Sequence, residues 1–176
     1  LDFADGYNLN PYDLESYLNA FYYDLFVNAP DYFGPDLYTV VFKVLQKHKS
    51  QIYFKEIPPS QRNEASNILA FAWGMFDDCK VKIQVNPKEW HKADNVMRLW
   101  IIYHELCHDV FNLGHECGIA LMKPTIPNYI DETMFIEARD ELINYIYVND
   151  LYTKACTEEF KALDNLLKSN IRAEPD

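Results

Sequence analysis

The residues that carry the most chemistry are His104, Glu105 and His108, in the string His104-Glu105-Leu106-Cys107-His108. On a helix, four steps of 100° leave two side chains about 40° apart and one turn along the axis. Both imidazoles can then reach one tetrahedral zinc ion at roughly 2.0–2.1 Å. Glu105 lies about 100° round from His104, too far round to be the natural ligand. It is placed to hold a water on the metal. Zinc lowers the pKa of such a water to about 7, and a carboxylate beside it takes the proton as the oxygen attacks a carbonyl. The plainer reading is a pair of core histidines and a solvated glutamate. Against it, the surrounding helix is almost wholly apolar, and burying two imidazoles and a carboxylate there needs partners that a metal supplies.

Catalytic zinc takes three protein ligands and keeps a fourth position for water. The helix should stop near Phe111-Asn112, because Asn tolerates the left-handed conformation that ends helices. Gly114 adds a flexible point directly before His115, so a chain that turns back there brings His115 to the metal. The alternative third ligand is Glu137, 29 residues after His108 on a downstream helix, with Glu141 one turn on. Cys107 or Cys117 as a fourth ligand would instead make the zinc structural, in a non-catalytic assembly module. Asp109 reads as a solvated residue or local cap, or else as a hydrogen-bond partner of a ligand's outer nitrogen. His48 and His91 have no partners at metal spacing and read as surface residues.

The histidine helix is expected from about Lys92 or Asp94 to Phe111, and its apolar residues on nearly every side (Val96, Met97, Leu99, Trp100, Ile101, Ile102, Tyr103, Leu106, Val110) mark it as buried in the core. Ahead of it, Asn10-Pro11 opens an amphipathic helix, with Asn as N-cap and Pro at the first helical position. Leu14, Tyr17, Leu18, Phe21, Tyr22, Leu25 and Phe26 form its apolar stripe, and Asn28-Ala-Pro30 stops it. Residues 37–45 and 51–57 read as two strands joined by 46–50, although the first could be a helix. Residues 68–75 and 81–85 form a second strand pair around Asp77-Asp78, and Val81-Lys-Ile-Gln-Val85 alternates as a strand with one wet face should. Asp131 caps a helix through Met134, Phe135, Ala138, Leu142 and Ile146, and Thr157 starts a last one. Strands in the first half and helices in the second give an α+β class, with a small mixed or antiparallel sheet, a buried active-site helix and C-terminal helices.

His104-Glu-x-x-His108, a nearby third His and then a Met in a tight turn resemble the metzincin clan of zinc peptidases. The clan pattern is HExxHxxGxxH; here six residues instead of five separate His108 from His115, and Phe111 stands where the helix-ending Gly belongs. Gly118-Ile-Ala-Leu-Met122-Lys-Pro124 resembles the clan's Met-turn. The string from Trp100 to Pro124 is also similar to small proteins of bacteria and their phages with HELGHDVLNL-like cores, and a looser likeness in element order runs from Ile68 to about Ile146. The resemblance implies zinc on His104, His108 and His115, Glu105 as general base, Met122 beneath the metal, and a peptide or protein substrate. It also implies that Val81, Ile83 and Val85 form the cleft's rim and pair with that peptide by β-augmentation. On the residues alone this is as well read as an ordinary edge strand that Lys80 and Lys82 guard.

Composition narrows the rest. The 176 residues suit one domain over 1–176, with 49% hydrophobic residues to fill its core. A formal charge of −11, from 27 acidic and 16 basic residues, argues against a nucleic-acid partner, which needs a basic face. The apolar run Leu99–Tyr103 is far too short for a bilayer, which takes roughly 20 residues. A chain opening on Leu1 rather than Met is expected of a mature or trimmed form. Its acidic surface suits a soluble protein, expected to be secreted, periplasmic or virion-associated and open to being part of a larger assembly. Cys79, Cys107, Cys117 and Cys156 lack C-x-x-C spacing; an even count permits two disulfides, and free, mostly buried thiols are the default.

Overall fold

The computed structural model describes residues 6–28, 41, 43, 45–47, 49–57, 69–72, 81–149 and 151. The expected helix from Thr157, the Asp77-Asp78 turn, His48, Cys79, Cys156 and Lys80 lie outside the described residues.

Helix α1 spans Leu14–Asn28, and it starts later than Asn10-Pro11 suggests. Asn10 uses its side-chain oxygen on the Tyr12 N–H at 3.0 Å, and its carbonyl on the Asp13 N–H at 3.0 Å, which makes a separate turn. Asp13 then accepts from the Glu15 N–H at 3.0 Å and takes over as cap. Short polar side chains bond their own neighbouring backbone readily, so the first Asn folds a turn and the next Asp begins the helix. The described positions in and just after 37–45, at 41, 43 and 45–47, are helical rather than extended. Val41 and Leu45 are both buried. Their i, i+4 spacing is the helix period, and it prevails here over the strand propensity of the Val and Phe residues.

Three short strands make a mixed sheet: β1 Ile52–Phe54, β2 Ala70–Ala72 and β3 Ile83–Val85, in the order β1-β3-β2. The expected β2–β3 pairing holds, antiparallel, with Ala70 opposite Val85 and Ala72 opposite Ile83. On its other side β3 pairs with β1 in parallel, Ile52 opposite Ile83 and Phe54 opposite Val85. The expected partner of 51–57 is 37–45, of which the described positions 41, 43 and 45 are helical rather than extended. Because β3 is central, Gln84 is buried rather than wet, and its amide donates to the Glu56 carbonyl at 3.2 Å.

A short helix α2, Pro87–Lys92, follows β3. Its signal was present in Asn86-Pro87, an N-cap that accepts from the Lys88 N–H at 3.2 Å with Pro directly after it. Helix α3, Asn95–Phe111, is capped by Asp94, which accepts from the Met97 N–H at 2.8 Å. From Arg98 to Phe111 every residue except Glu105 is buried. α3 packs on α1, on β2, on a 3₁₀ turn at Ala120–Met122 and on α4, Glu132–Val148. Asp131 caps α4 as expected, accepting from the Met134 N–H at 2.8 Å.

One hydrophobic cluster runs from Leu14 on α1 through the sheet and α3 to Ile146 on α4. A polar knot sits within it. The Tyr103 hydroxyl donates to Asp24 at 2.6 Å, the Tyr7 hydroxyl donates to it at 3.0 Å, and Arg139 approaches at 3.5 Å. Burial raises the Asp24 carboxyl above the ordinary aspartate range, partly offset by these donors. The knot ties α1, α3 and α4 together through groups that would be costly to bury singly. The described architecture is α+β, and no described helix is long and apolar enough to cross a membrane.

Candidate metal centre

The centre is built on the C-terminal half of α3 and the loop that follows. Asn112 ends the helix in the left-handed conformation, φ 52° and ψ 35°, and the Leu113 N–H closes back on the Cys107 carbonyl at 3.1 Å. This is the stop expected at Asn112. The chain then runs back along the helix into a 3₁₀ turn, His115–Cys117. Gly114 is not the flexible hinge that its type suggests. Its φ of −90° and ψ of 172° suit any residue. A Cβ there would meet only the carboxylate end of the exposed Glu116 side chain, which folds over it and is free to swing aside. Gly118 is different: its φ of 89° turns the chain from the 3₁₀ turn toward Ile119, and there the left-handed backbone favours glycine.

The turn brings three imidazoles together. His104 Nε2 and His108 Nε2 are 3.0 Å apart, His108 and His115 3.1 Å, and His115 and His104 3.3 Å. Two of the rings are fixed from behind. His104 Nδ1 lies 2.6 Å from the Leu121 carbonyl and His108 Nδ1 2.6 Å from the Leu113 carbonyl. A carbonyl only accepts, so each Nδ1 carries its proton and donates it. Each neutral ring then presents a bare lone pair at Nε2. Two lone pairs facing each other at 3.0 Å cannot hydrogen-bond and repel unless a cation lies between them. A tetrahedral zinc with bonds of about 2.05 Å sets its ligand nitrogens roughly 3.3–3.4 Å apart, and the observed spacings come within a few tenths of that. The donor set, three imidazoles of which two have their outer nitrogens tied down, fits zinc as a borderline-soft divalent ion.

Electrostatics point the same way. His104 is lowered to about 4, by burial first; the Leu121 carbonyl opposes the shift, and the neighbouring His108 and His115 add to it. His108 is likewise lowered, chiefly by burial. His104 is therefore neutral, and ready to ligate, over the whole physiological range, and His108 is shifted the same way.

Glu105 stands outside the three-nitrogen group, as its position on the helix requires. It is partly buried, and its carboxyl is raised to about 8. Burial is the main cause and the Asp109 carboxylate one turn on adds to it, while a hydrogen bond from the Ala72 N–H of β2 opposes both. Asp109 itself is not solvated. It is buried and accepts from the Lys82 N–H at 2.8 Å, pinning the lead into β3 against the helix.

Several sequence readings change. Glu137 is exposed on α4 and lies outside the histidine group. Glu141 does reach the region, but as an acceptor for the Ala120 N–H at 3.3 Å, which steadies the turn carrying Leu121 and Met122. Met122 is fully buried in that turn, next to the residue whose carbonyl holds His104. Ile83 and Val85 do not form a free peptide-pairing edge: β3 has β1 on one side and β2 on the other, so its hydrogen-bonding groups are spent on the sheet. Val81 is buried just ahead of that strand. The strand beside the centre is β2. His91 is exposed, as expected of a surface residue, and stacks on Phe54 with centroids 5.9 Å apart. Cys107 and Cys117 are free thiols and are not in the ligand group; burial holds the Cys107 thiol well above the ordinary cysteine range. Sequence reasoning missed the carbonyls of Leu113 and Leu121 and the Ala72 amide. No residue type signals them, because they are backbone groups.

No protein-family model, curated protein or solved structure matches this chain.

Proposed function

We propose that the protein is a zinc-dependent metallopeptidase of metzincin-like design, with His104, His108 and His115 as metal ligands and Glu105 as the general base. The observation that carries this reading is the convergence of three Nε2 atoms, two of them with their protons fixed on the opposite nitrogen. Bound there, zinc supplies Lewis acidity and an activated water for carbonyl hydrolysis.

The chain's own residues do the rest. The Leu113 and Leu121 carbonyls orient two imidazoles and raise their basicity. Glu105 sits one residue along from His104, raised by burial toward neutral pH, where a carboxylate exchanges protons most effectively. The Ala72 N–H keeps it turned toward β2, so a peptide carbonyl is expected on the β2 side of the helix rather than along β3. Met122 floors the site from the Ala120–Met122 turn.

A structural zinc would need a fourth protein ligand. Among the described residues the group contains three histidines and no cysteine or carboxylate, which favours a catalytic centre over an assembly module. The deciding experiment measures zinc content and hydrolysis of a peptide library by wild type and Glu105→Gln. Stoichiometric zinc with cleavage that depends on Glu105 is expected. Zinc without any Glu105-dependent cleavage would move the protein to the structural class.

A further inference from the structure

His104 takes its orientation from two parts of the fold. Its backbone belongs to α3, while the acceptor of its Nδ1 proton, the Leu121 carbonyl at 2.6 Å, lies in the Ala120–Met122 turn. His108 needs no such agreement, because Leu113 follows directly on the end of the same helix and is bonded back to it. The Ala120–Met122 turn leans on α4, where Glu141 accepts from the Ala120 N–H at 3.3 Å. The orientation of His104 therefore depends on how α3 and α4 sit relative to each other.

Apolar contacts alone set that relation loosely, because they are non-directional and tolerate sliding. Where α1, α3 and α4 meet, the contacts are directional instead. Tyr103, the residue before His104, packs its ring edge-on against Phe21 of α1 at 5.0 Å and Phe135 of α4 at 5.2 Å. Its hydroxyl donates to Asp24 of α1 at 2.6 Å. Arg139 of α4, two residues before Glu141, reaches the same carboxylate at 3.5 Å. It also donates to the Tyr7 hydroxyl at 2.9 Å, which in turn donates to Asp24 at 3.0 Å. Asp24 is only 3% exposed, so solvent offers these partners little else to bond. One buried carboxylate thus holds α3 beside His104 and α4 beside Glu141.

We propose that Asp24 is a positioning residue for the metal centre: by gripping Tyr103 and Arg139 together, it sets the spacing that keeps the Leu121 carbonyl on His104 Nδ1. It acts through those residues and not at the metal, and the inference rests on the ligand assignment above. When the grip is lost, α4 and the turn it carries drift relative to α3. The bond at Nδ1 then lengthens, the proton is no longer fixed there, and Nε2 is a poorer ligand. Loss of the partner behind a metal ligand costs about 10- to 100-fold in affinity. Asp24 stands one step behind such a partner, so the lower end, about tenfold, is expected.

The test uses the full chain at a temperature where every variant is folded. It measures zinc affinity by competition with a chromophoric chelator, and the visible bands of the cobalt-loaded protein, which report ligand geometry. Asp24→Asn keeps the shape of the side chain and removes the charge that Arg139 answers; Tyr103→Phe removes only the hydroxyl. Each is expected to weaken zinc binding about tenfold and to alter the cobalt bands. The double variant should do no more than the stronger single one, since both break one linkage. Arg139→Gln should act likewise from the α4 side. Tyr17→Phe is the control: it removes a hydroxyl that α1 donates at 2.8 Å to Asn95, at the start of α3 and nine residues before His104. It should lower stability and leave both metal readouts at their wild-type values. Should Asp24→Asn fail to fold, Tyr103→Phe and Arg139→Gln decide the matter. Wild-type affinity and cobalt bands in the folded knot variants overturn the proposal. So does an equal loss in Tyr17→Phe, which would make the effect one of general stability. A wild type that binds neither ion would overturn the ligand assignment itself, and the positioning role with it.

Discussion

Glu105→Gln separates electrostatic cost from catalysis, and the structure fixes the sign of both. In the metal-free protein the Glu105 carboxyl is raised from the ordinary 4.5 to about 8, by burial first and by Asp109 second. A carboxyl whose pKa is higher folded than unfolded favours the folded state fully below the unfolded value, and that advantage is lost as pH rises through the folded value. At about 1.4 kcal/mol per pKa unit, the loss has a ceiling of about 5 kcal/mol above pH 8 and about 3 kcal/mol at pH 7. Gln keeps the size and the acceptor for the Ala72 N–H but has no charge to desolvate. With chelator present, the stability of Glu105→Gln minus that of wild type should therefore climb between about pH 4.5 and 8 and level off beyond. Taking the difference cancels the histidines and Asp24, which titrate in both proteins. The assay is urea denaturation at fixed ionic strength across that range. With zinc restored, the nearby cation favours the carboxylate, so the difference should shrink. Peptide hydrolysis by the zinc-loaded variant should fall by about 10² to 10⁴, the usual worth of a positioned acid/base. A stability difference flat with pH would refute the buried-carboxylate argument, and a zinc-loaded variant as active as wild type would refute the role as base.

Substituting His104, His108 or His115 with Ala should each abolish the rise in melting temperature that zinc gives wild type, while Glu137→Ala should respond like wild type; thermal shift with and without zinc distinguishes the two third-ligand designs. Because burial holds His104 at about 4 and lowers His108, protons should compete with zinc at those two nitrogens only at pH values below the ordinary histidine range, which a zinc-occupancy titration into acid would show. Asp109→Ala removes the acceptor of the Lys82 N–H and should cost about 1–3 kcal/mol in urea denaturation, with Asp109→Asn restoring most of it. Asp24→Ala leaves Arg139 and two tyrosine hydroxyls in the α1–α3–α4 knot without their shared acceptor. Breaking such a buried pair from one side should cost about 3–5 kcal/mol, well above the loss for Asp24→Asn.

What the amino-acid order determined by itself is whatever depends on neighbours within a few residues. The 100° step of a helix sets His104 and His108 on one face and Glu105 to the side, whatever the rest of the chain does. Asp94, Asp131 and Asn112 mark helix ends because their side chains or their tolerance of positive φ act locally. The near-continuous apolar character of α3 announced its burial. What the sequence could not decide depends on partners far along the chain. Whether Val81–Val85 is an edge or a centre depends on Ile52–Phe54 arriving alongside it, and no residue of β3 records that arrival. Residues 41–47 carry both strand formers and a helix period, and the described positions show the packing of Val41 and Leu45 settling the choice. Asp109 looked solvated because its own string gives no hint that the Lys82 amide will cover it. His115 was legible as a candidate from Asn112 and Gly114, yet only the folded loop brings its Nε2 within 3.3 Å of His104. The Leu113 and Leu121 carbonyls that fix the proton on His108 and His104 were invisible for a simpler reason: every residue has a carbonyl, and only tertiary structure chooses which ones face a histidine.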